Sequence, residues 1–174
     1  MTYAELEAGL THIAAAPRER GVLAMIVRRP RAGEREVLDA AELSVEAGLV
    51  GDRWSLGDAP RRGEQLTLMA SRTVALLAQS RDRWPLAGDQ LYVDFDLSAA
   101  HVPPGTRLAI GAAVIEVSAE PHTGCKKFRE RYGLDAVRFV GSPVGKDLQL
   151  RGINAYVVTS GAVCVGDVVQ ALFD

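Results

Sequence analysis

The chain has 174 residues, of which 48% are hydrophobic and 24% charged, and it carries a formal net charge of −2. That length suits one domain with a real core, and the composition leaves no case for disorder. The near-neutral balance excludes a general nucleic-acid or membrane-surface binder while leaving room for a small anionic ligand in a local basic pocket. No run approaches the ~18 apolar residues needed to span a bilayer, and the N-terminus lacks the basic-then-apolar layout of a signal peptide, so the expectation is a cytoplasmic protein.

Thr2-Tyr3-Ala4-Glu5 has the form of a capping box, and Leu6, Leu10 and Ile13 follow at helical spacing. One amphipathic helix is expected from about Tyr3 to Ala15, stopped by Pro17. Gly21 to Pro30 is an apolar run with β-branched residues and no helical stripe, which predicts a central strand with Arg35-Glu36-Val37-Leu38 as its hairpin partner. Gly48-Leu49-Val50-Gly51-Asp52-Arg53-Trp54 and the polar segment up to Gly63 read as one long loop. It is either a functional loop or a surface turn with Trp54 folded back on the core.

Glu64 to Met69 alternates as a strand does, and Ser71 is placed to cap a short helix carrying Val74 and Leu77. Trp84 to Asp89 reads as a turn. Leu91, Val93, Phe95 and Leu97 then alternate with Tyr92, Asp94 and Asp96, the pattern of a strand buried on one face with its aspartates on the solvent side. Two further strands are expected at Arg107 to Ile110 and Ala113 to Val117. A short helix should lie near Asp135 to Val140, and strands at Asn154 to Thr159 and from Val163 to Leu172. Eight to ten short strands with frequent Gly and Pro predict a mainly β single domain with short helices, a closed or nearly closed barrel.

Two cysteines, Cys125 and Cys164, show neither disulfide density nor CxxC spacing. Cys164 lies between Val163 and Val165 in a strand-like run and reads as buried filler. Cys125 follows Thr123-Gly124 and precedes Lys126-Lys127-Phe128-Arg129, a helical run that Thr123 can cap and Gly133 can end. In a first helical turn, free backbone N–H groups and two lysines favour a thiolate, the form that attacks electrophiles and binds metals. The bland alternative is a small packed hydrophobe beside a solvated helix face. His12 and His101 read as incidental, and only His122, three positions upstream, is placed to tune the Cys125 thiol.

The order of motifs is informative as a set. It runs from Gly48-Leu49-Val50-Gly51-Asp52-Arg53-Trp54 through Gln65 to Met69, Leu86-Ala87-Gly88-Asp89-Gln90-Leu91-Tyr92-Val93 and Pro104 to Gly111. The Cys125 segment, Arg151-Gly152-Ile153-Asn154-Ala155-Tyr156-Val157 and Val165-Gly166-Asp167 complete it. This series resembles the MOSC domain family, named for the C-terminal domain of molybdenum cofactor sulfurase. The resemblance covers nearly all of the chain after Pro17. It implies a β-barrel-like MOSC fold over residues 18–174, with residues 1–17 as an N-terminal capping helix of the same domain.

The resemblance also implies that the chain handles the molybdenum cofactor (molybdopterin), a pyranopterin dithiolene carrying phosphate. The family's functional cysteine falls on Cys125, which would be both catalytic residue and molybdenum ligand. Arg53, Asp52, Lys126, Lys127, Arg151, His122 and Asn154 are the expected cofactor-binding residues. Two positions depart from the family pattern: Gly124 stands where proline is common before the cysteine, and Asp89-Gln90-Leu91 stands where Glu-Asn-Leu is common. The implied activities are reduction of N-hydroxylated compounds by a molybdenum-dependent oxidoreductase, or non-catalytic carriage of sulfur or cofactor on Cys125. An inactive scaffold is the third option. With no flavin or iron–sulfur module in the sequence, electrons for a reductase are expected from a separate donor protein.

Overall fold

The computed structural model describes residues 1–173. Two short helices open the chain, α1 (Tyr3–Ala8) and α2 (Leu10–Ala14). The capping box is present: Thr2 accepts from the Glu5 N–H, and Glu5 reaches back to the Thr2 N–H. The expected single helix is instead broken at Gly9, whose Cα lies against Leu76 so that a side chain there would collide with it. Leu6 and Ile13 still share the buried face.

Strands β1 (Gly21–Arg28) and β2 (Glu36–Leu38) form the expected hairpin. They are followed by β3 (Ala40–Ser44) and β4 (Gly48–Leu49), by β5 (Leu66–Ala70) with helix α3 (Ser71–Ala78), and by β6 (Leu91–Asp94). Then come β7 (Arg107–Ile110), β8 (Ala113–Val117) and helices α4 (Lys126–Tyr132), α5 (Leu134–Gly141) and α6 (Pro143–Asp147). The chain ends with β9 (Ile153–Thr159), β10 (Gly161–Cys164) and β11 (Val168–Leu172). Ser71 is the first residue of α3 and does not cap it; Ala70 holds the cap position. The long loop is also more regular than expected, containing β4 and two 3-10 turns, Arg53–Leu56 and Arg62–Glu64.

Seven strands close on themselves in the order β11, β7, β8, β9, β5, β6, β1, with β1 pairing back to β11 through Gly21 and Val22. Closure removes the open edges that would otherwise template aggregation. All pairs are antiparallel except β5 with β6, which α3 and the 3-10 segment Arg81–Ala87 connect as a crossover. The strands β10, β3 and β4 make a small separate sheet against the barrel flank, contributing Val163, Leu43 and Leu49 to its core.

Two apolar layers result. Leu23, Ile26, Leu68, Leu91, Val93, Ile115 and Val157 fill the barrel interior. The outward residues Met25, Val27, Met69 and Tyr92 do not meet water, because Leu6, Val74, Leu77, Phe128 and Phe139 of the helices cover them. A register shift between Leu23 and Met25 sets the phase so that Ile26 returns to the interior. This second layer corrects the half-buried reading of Leu91 to Leu97. Tyr92 is fully buried and donates its hydroxyl to the Trp84 carbonyl, and burial first, then the nearby Asp89 charge, push its pKa well up. Asp94 and Asp96 do sit toward solvent, paired with Arg72 and Arg18. Cys164 is also corrected: strand alternation turns Val163 into the core and leaves Cys164 exposed on the uncovered face of β10.

Among the described residues no helix is long and apolar enough to cross a membrane.

Candidate functional site

On the outer face of the barrel wall, Thr67 of β5 pairs with Asn154 of β9, near the C-terminal end of β1 and the segment that follows β8. Here the chain opens a cleft of about 490 Å³ lined by Arg29, Arg53, Trp54, Glu64, Thr67, Pro121, His122, Thr123 and Asn154. Residues as far apart in sequence as Arg29 and Asn154 share this cleft because neighbouring strands of the barrel wall bring them together. The segment Glu120 to Thr123 runs across it as a strap. Asn154 Nδ2 holds the strap by donating to the Glu120 and Pro121 carbonyls, at 3.1 and 3.3 Å.

Behind the strap lies a buried ionic network centred on Asp89. Arg151 Nη1 donates to Asp89 Oδ2 at 2.7 Å, and His122 Nε2 lies 2.7 Å from Asp89 Oδ1. Arg151 Nη2 reaches the Ala87 carbonyl, and its guanidinium lies over the Phe128 ring at 4.7 Å. Burial alone would raise the pKa of Asp89, but the charge and hydrogen bonds of Arg151 and His122 outweigh it and hold the carboxyl down at about 2. Asp89 is therefore an anion that fixes the strap through His122 and the β9 entry through Arg151. Next to it, Gln90 Oε1 accepts from both the N–H and the hydroxyl of Thr67 in the cleft floor. Asp89 and Gln90 are thus an internal brace.

Asp52 plays a similar part on the opposite wall. Its carboxylate accepts from the Arg29 N–H, Nε and Nη2 and from the Trp54 N–H. It caps the Arg53–Leu56 turn, so Arg29 and Arg53 are delivered to the cleft. Arg29 is balanced by Asp52, and Glu64 of the cleft pairs with Arg61. Among the described residues Arg53 has no carboxylate partner and supplies the cleft's free positive charge.

The residues expected to bind cofactor therefore divide. Arg53, His122 and Asn154 line the cleft, with Arg29, Trp54 and Thr67 beside them. Asp52 stands behind the wall with both oxygens engaged, and Arg151 is buried against Asp89 behind the strap. Lys126 and Lys127 lie on the exposed face of α4, where Lys126 is 90% exposed and faces Glu130 at 4.0 Å. Cys125 is exposed, two residues beyond Thr123 of the cleft lining. It occupies the N-cap of α4 in extended conformation and not the first turn, because Gly124 and Cys125 prolong the strap and Thr123 caps nothing. Gly133 ends the helix as expected.

Sequence reasoning missed Arg29, Thr67 and the role of Asp89. Arg29 was hidden inside a strand prediction and Thr67 inside an alternation. Asp89 followed Gly88 in a turn, and a buried charge is visible only once its partners from β9 and the strap arrive. Among the described residues no group of three or more His, Cys, Asp or Glu side chains converges.

No family model matches the chain, and no curated protein matches it. Its fold is nevertheless shared with solved structures. The crystal structure of the YUAD protein from Bacillus subtilis aligns with a TM-score of 0.65 at 16% identity, over 90% of this chain and 97% of that one. YiiM from Escherichia coli aligns with a TM-score of 0.57 at 19% identity, over 88% and 70% of the two chains. YiiM from Geobacillus stearothermophilus gives 0.59 at 12%, over 88% and 75%. At these identities the likeness is one of architecture, and it agrees with the mainly β, barrel-like fold expected from the sequence.

Proposed function

We propose that this chain is a MOSC-type protein that binds the molybdenum cofactor in the cleft and uses the Cys125 sulfur as a ligand to molybdenum, in reduction of N-hydroxylated compounds. The observation that carries the reading is the meeting, on one side of the barrel, of a roomy polar cleft, a free arginine and an exposed cysteine on the strap that borders it. The donor set suits the group. A cysteine sulfur is a soft ligand of the kind such a metal takes, and Arg53 and Arg29 offer planar donors that match a phosphate. When bound, the group would supply a two-electron oxygen-acceptor centre.

The chain's own residues would hold and orient. Arg53, with Arg29 beside it, would receive the phosphate, and Asn154 and Thr67 would meet polar edges of the pterin. The Asp89 brace would keep the strap, and with it the cysteine, from drifting when ligand enters. Asp52 would act at one remove by aiming both arginines. Electrons would come from a separate donor protein.

The test is purification from a host that makes the cofactor, beside Cys125→Ser, with measurement of molybdenum content and pterin fluorescence. The expected result is near-stoichiometric molybdenum in the parent and loss of the metal in the variant. Reduction of an N-hydroxylated base with a chemical electron donor should follow the metal. Molybdenum without turnover would instead mark a cofactor carrier, and a persulfide on Cys125 without metal would mark sulfur transfer. Absence of all three would overturn the proposal.

A further inference from the structure

Most of the groups that line the cleft can only hold a ligand. Arg29 and Arg53 keep their protons, Thr67, Trp54 and Asn154 are neutral, and Glu64 is paired with Arg61 at 2.9 Å. His122 is the one lining side chain of a type that exchanges protons near neutrality. A reaction that consumes or releases a proton inside the cleft has no other lining side chain to use.

The tautomer of that ring is set from behind. Nε2 lies 2.7 Å from Asp89 Oδ1, and Arg151 holds the other carboxylate oxygen at 2.7 Å, so Asp89 is an anion that can only accept. Nε2 therefore carries a hydrogen in the neutral and the charged ring alike, and Nδ1 is the nitrogen that gains and loses a proton. Nδ1 has no hydrogen-bond partner among the described residues and retains accessible surface. Its direction follows from the opposite edge of the ring, because a Cβ on Gly152 would stand 3.3 Å from His122 Cδ2. Gly152 lines a smaller cavity of about 260 Å³ on the far side of the strap and not the cleft, so the Nδ1 edge is turned from that cavity toward the cleft. Asn154 fixes the strap just before the ring through the Glu120 and Pro121 carbonyls.

We propose that His122 and Asp89 form an acid–base dyad and that His122 Nδ1 is the proton donor of the cleft. The direction of transfer rests on the function proposed above; the dyad itself does not. Reduction of an N-hydroxylated base breaks its N–O bond, consumes two electrons and two protons, and releases the N–H compound and water. The electrons come from the reduced cofactor, replenished by the donor protein. Nδ1 of the charged ring gives one proton to the substrate nitrogen as the bond breaks. The departing oxygen takes the second from solvent and leaves as water, and the ring regains its proton from solvent. Asp89 keeps its charge throughout, holding the ring in one tautomer and steadying its cation.

Two measurements test this, and the first needs neither metal nor substrate. In the ligand-free chain labelled with ¹⁵N-histidine, the ring signals come from His12, His101 and His122. His122 should show a single tautomer at mildly alkaline pH, with a slowly exchanging downfield proton on Nε2 and a bare Nδ1. A proton on Nδ1, or a freely exchanging one on Nε2, would overturn the dyad. The second uses His122→Gln, whose amide can still donate to Asp89 but cannot pass a proton on. Purified from a host that makes the cofactor, the variant should keep its molybdenum within about twofold of the parent. The single-turnover rate at which an N-hydroxylated base reoxidises the pre-reduced protein should fall about 100-fold or more, with the half-saturating substrate concentration little changed. A rate within about threefold of the parent's, or loss of molybdenum from the variant, would overturn the proton-donor role. If the parent loads no molybdenum, or loads it without turnover, the proposed function fails and that role with it, while the ring spectrum still decides the dyad.

Discussion

Asp89 and Cys125 flank the same strap and are opposites in environment. Asp89 has a side chain with no exposed surface, two charged or polar partners at 2.7 Å and a pKa held at about 2. Cys125 is exposed, makes no capping hydrogen bond and stands at the end of a strap held from behind. On the proposed function, the difference separates two tasks that one residue could not perform together. A group that fixes geometry must be saturated with partners, and a group that reacts must keep its valence free. His122 links them, bonded to Asp89 on one side and lining the cleft three residues before the cysteine on the other.

The sharpest way to break this division is Asp89→Asn, which leaves Arg151 as a buried cation without its counter-charge. Chemical denaturation should show a loss of about 3–5 kcal/mol. If the loss were under about 1 kcal/mol, the brace would not be bearing the strap. A gentler probe is acid. Because the folded pKa of Asp89 lies below its ordinary value, its contribution is complete above about pH 4 and is lost as pH falls from there through about 2. Denaturation curves should lose roughly 2–3 kcal/mol of stability over that window, an increment absent from Asp89→Asn.

Gly152→Ala tests the joint between the network and β9. Gly152 has φ 102°, and a Cβ there would strike the Leu68 carbonyl oxygen. The expected destabilisation is about 1–3 kcal/mol, read from thermal unfolding, with shifts carried to Arg151 and His122. At the other extreme, Cys125→Ser and Lys126→Ala should each change stability by less than about 0.5 kcal/mol, as exposed positions do. On the proposed function the pair then parts: the serine variant should lose molybdenum, and the alanine variant should keep it, since Lys126 lies on the exposed face of α4 outside the cleft lining.

Much of the fold was legible in local pattern. The capping box of Thr2 and Glu5, the β1–β2 hairpin and the strand pair around Gly111 are set by neighbours within a few residues, where propensity and turn chemistry act. The prediction went astray where a distant element intervened. The first helix divides at Gly9, which packs closely against Leu76 of α3, and the helical layer over β6 buries Tyr92 that alternation had assigned to water. Cys164 was misplaced for the opposite reason, since nothing arrives to cover its face of β10.

The site shows the same split. By itself the sequence marked Cys125 and His122 from local chemistry, because residue type and nearby turns are local properties, and the resemblance carried by its motif order added Arg53 and Asn154. Only the tertiary structure decided that Asp89 is a buried anion shared by Arg151 and the strap, that Asp52 aims Arg29 and Arg53, and that Lys126 and Lys127 lie outside the cleft lining. Charge compensation and burial depend on which groups arrive from far along the chain. Closure of the seven-stranded barrel is what brings those groups together.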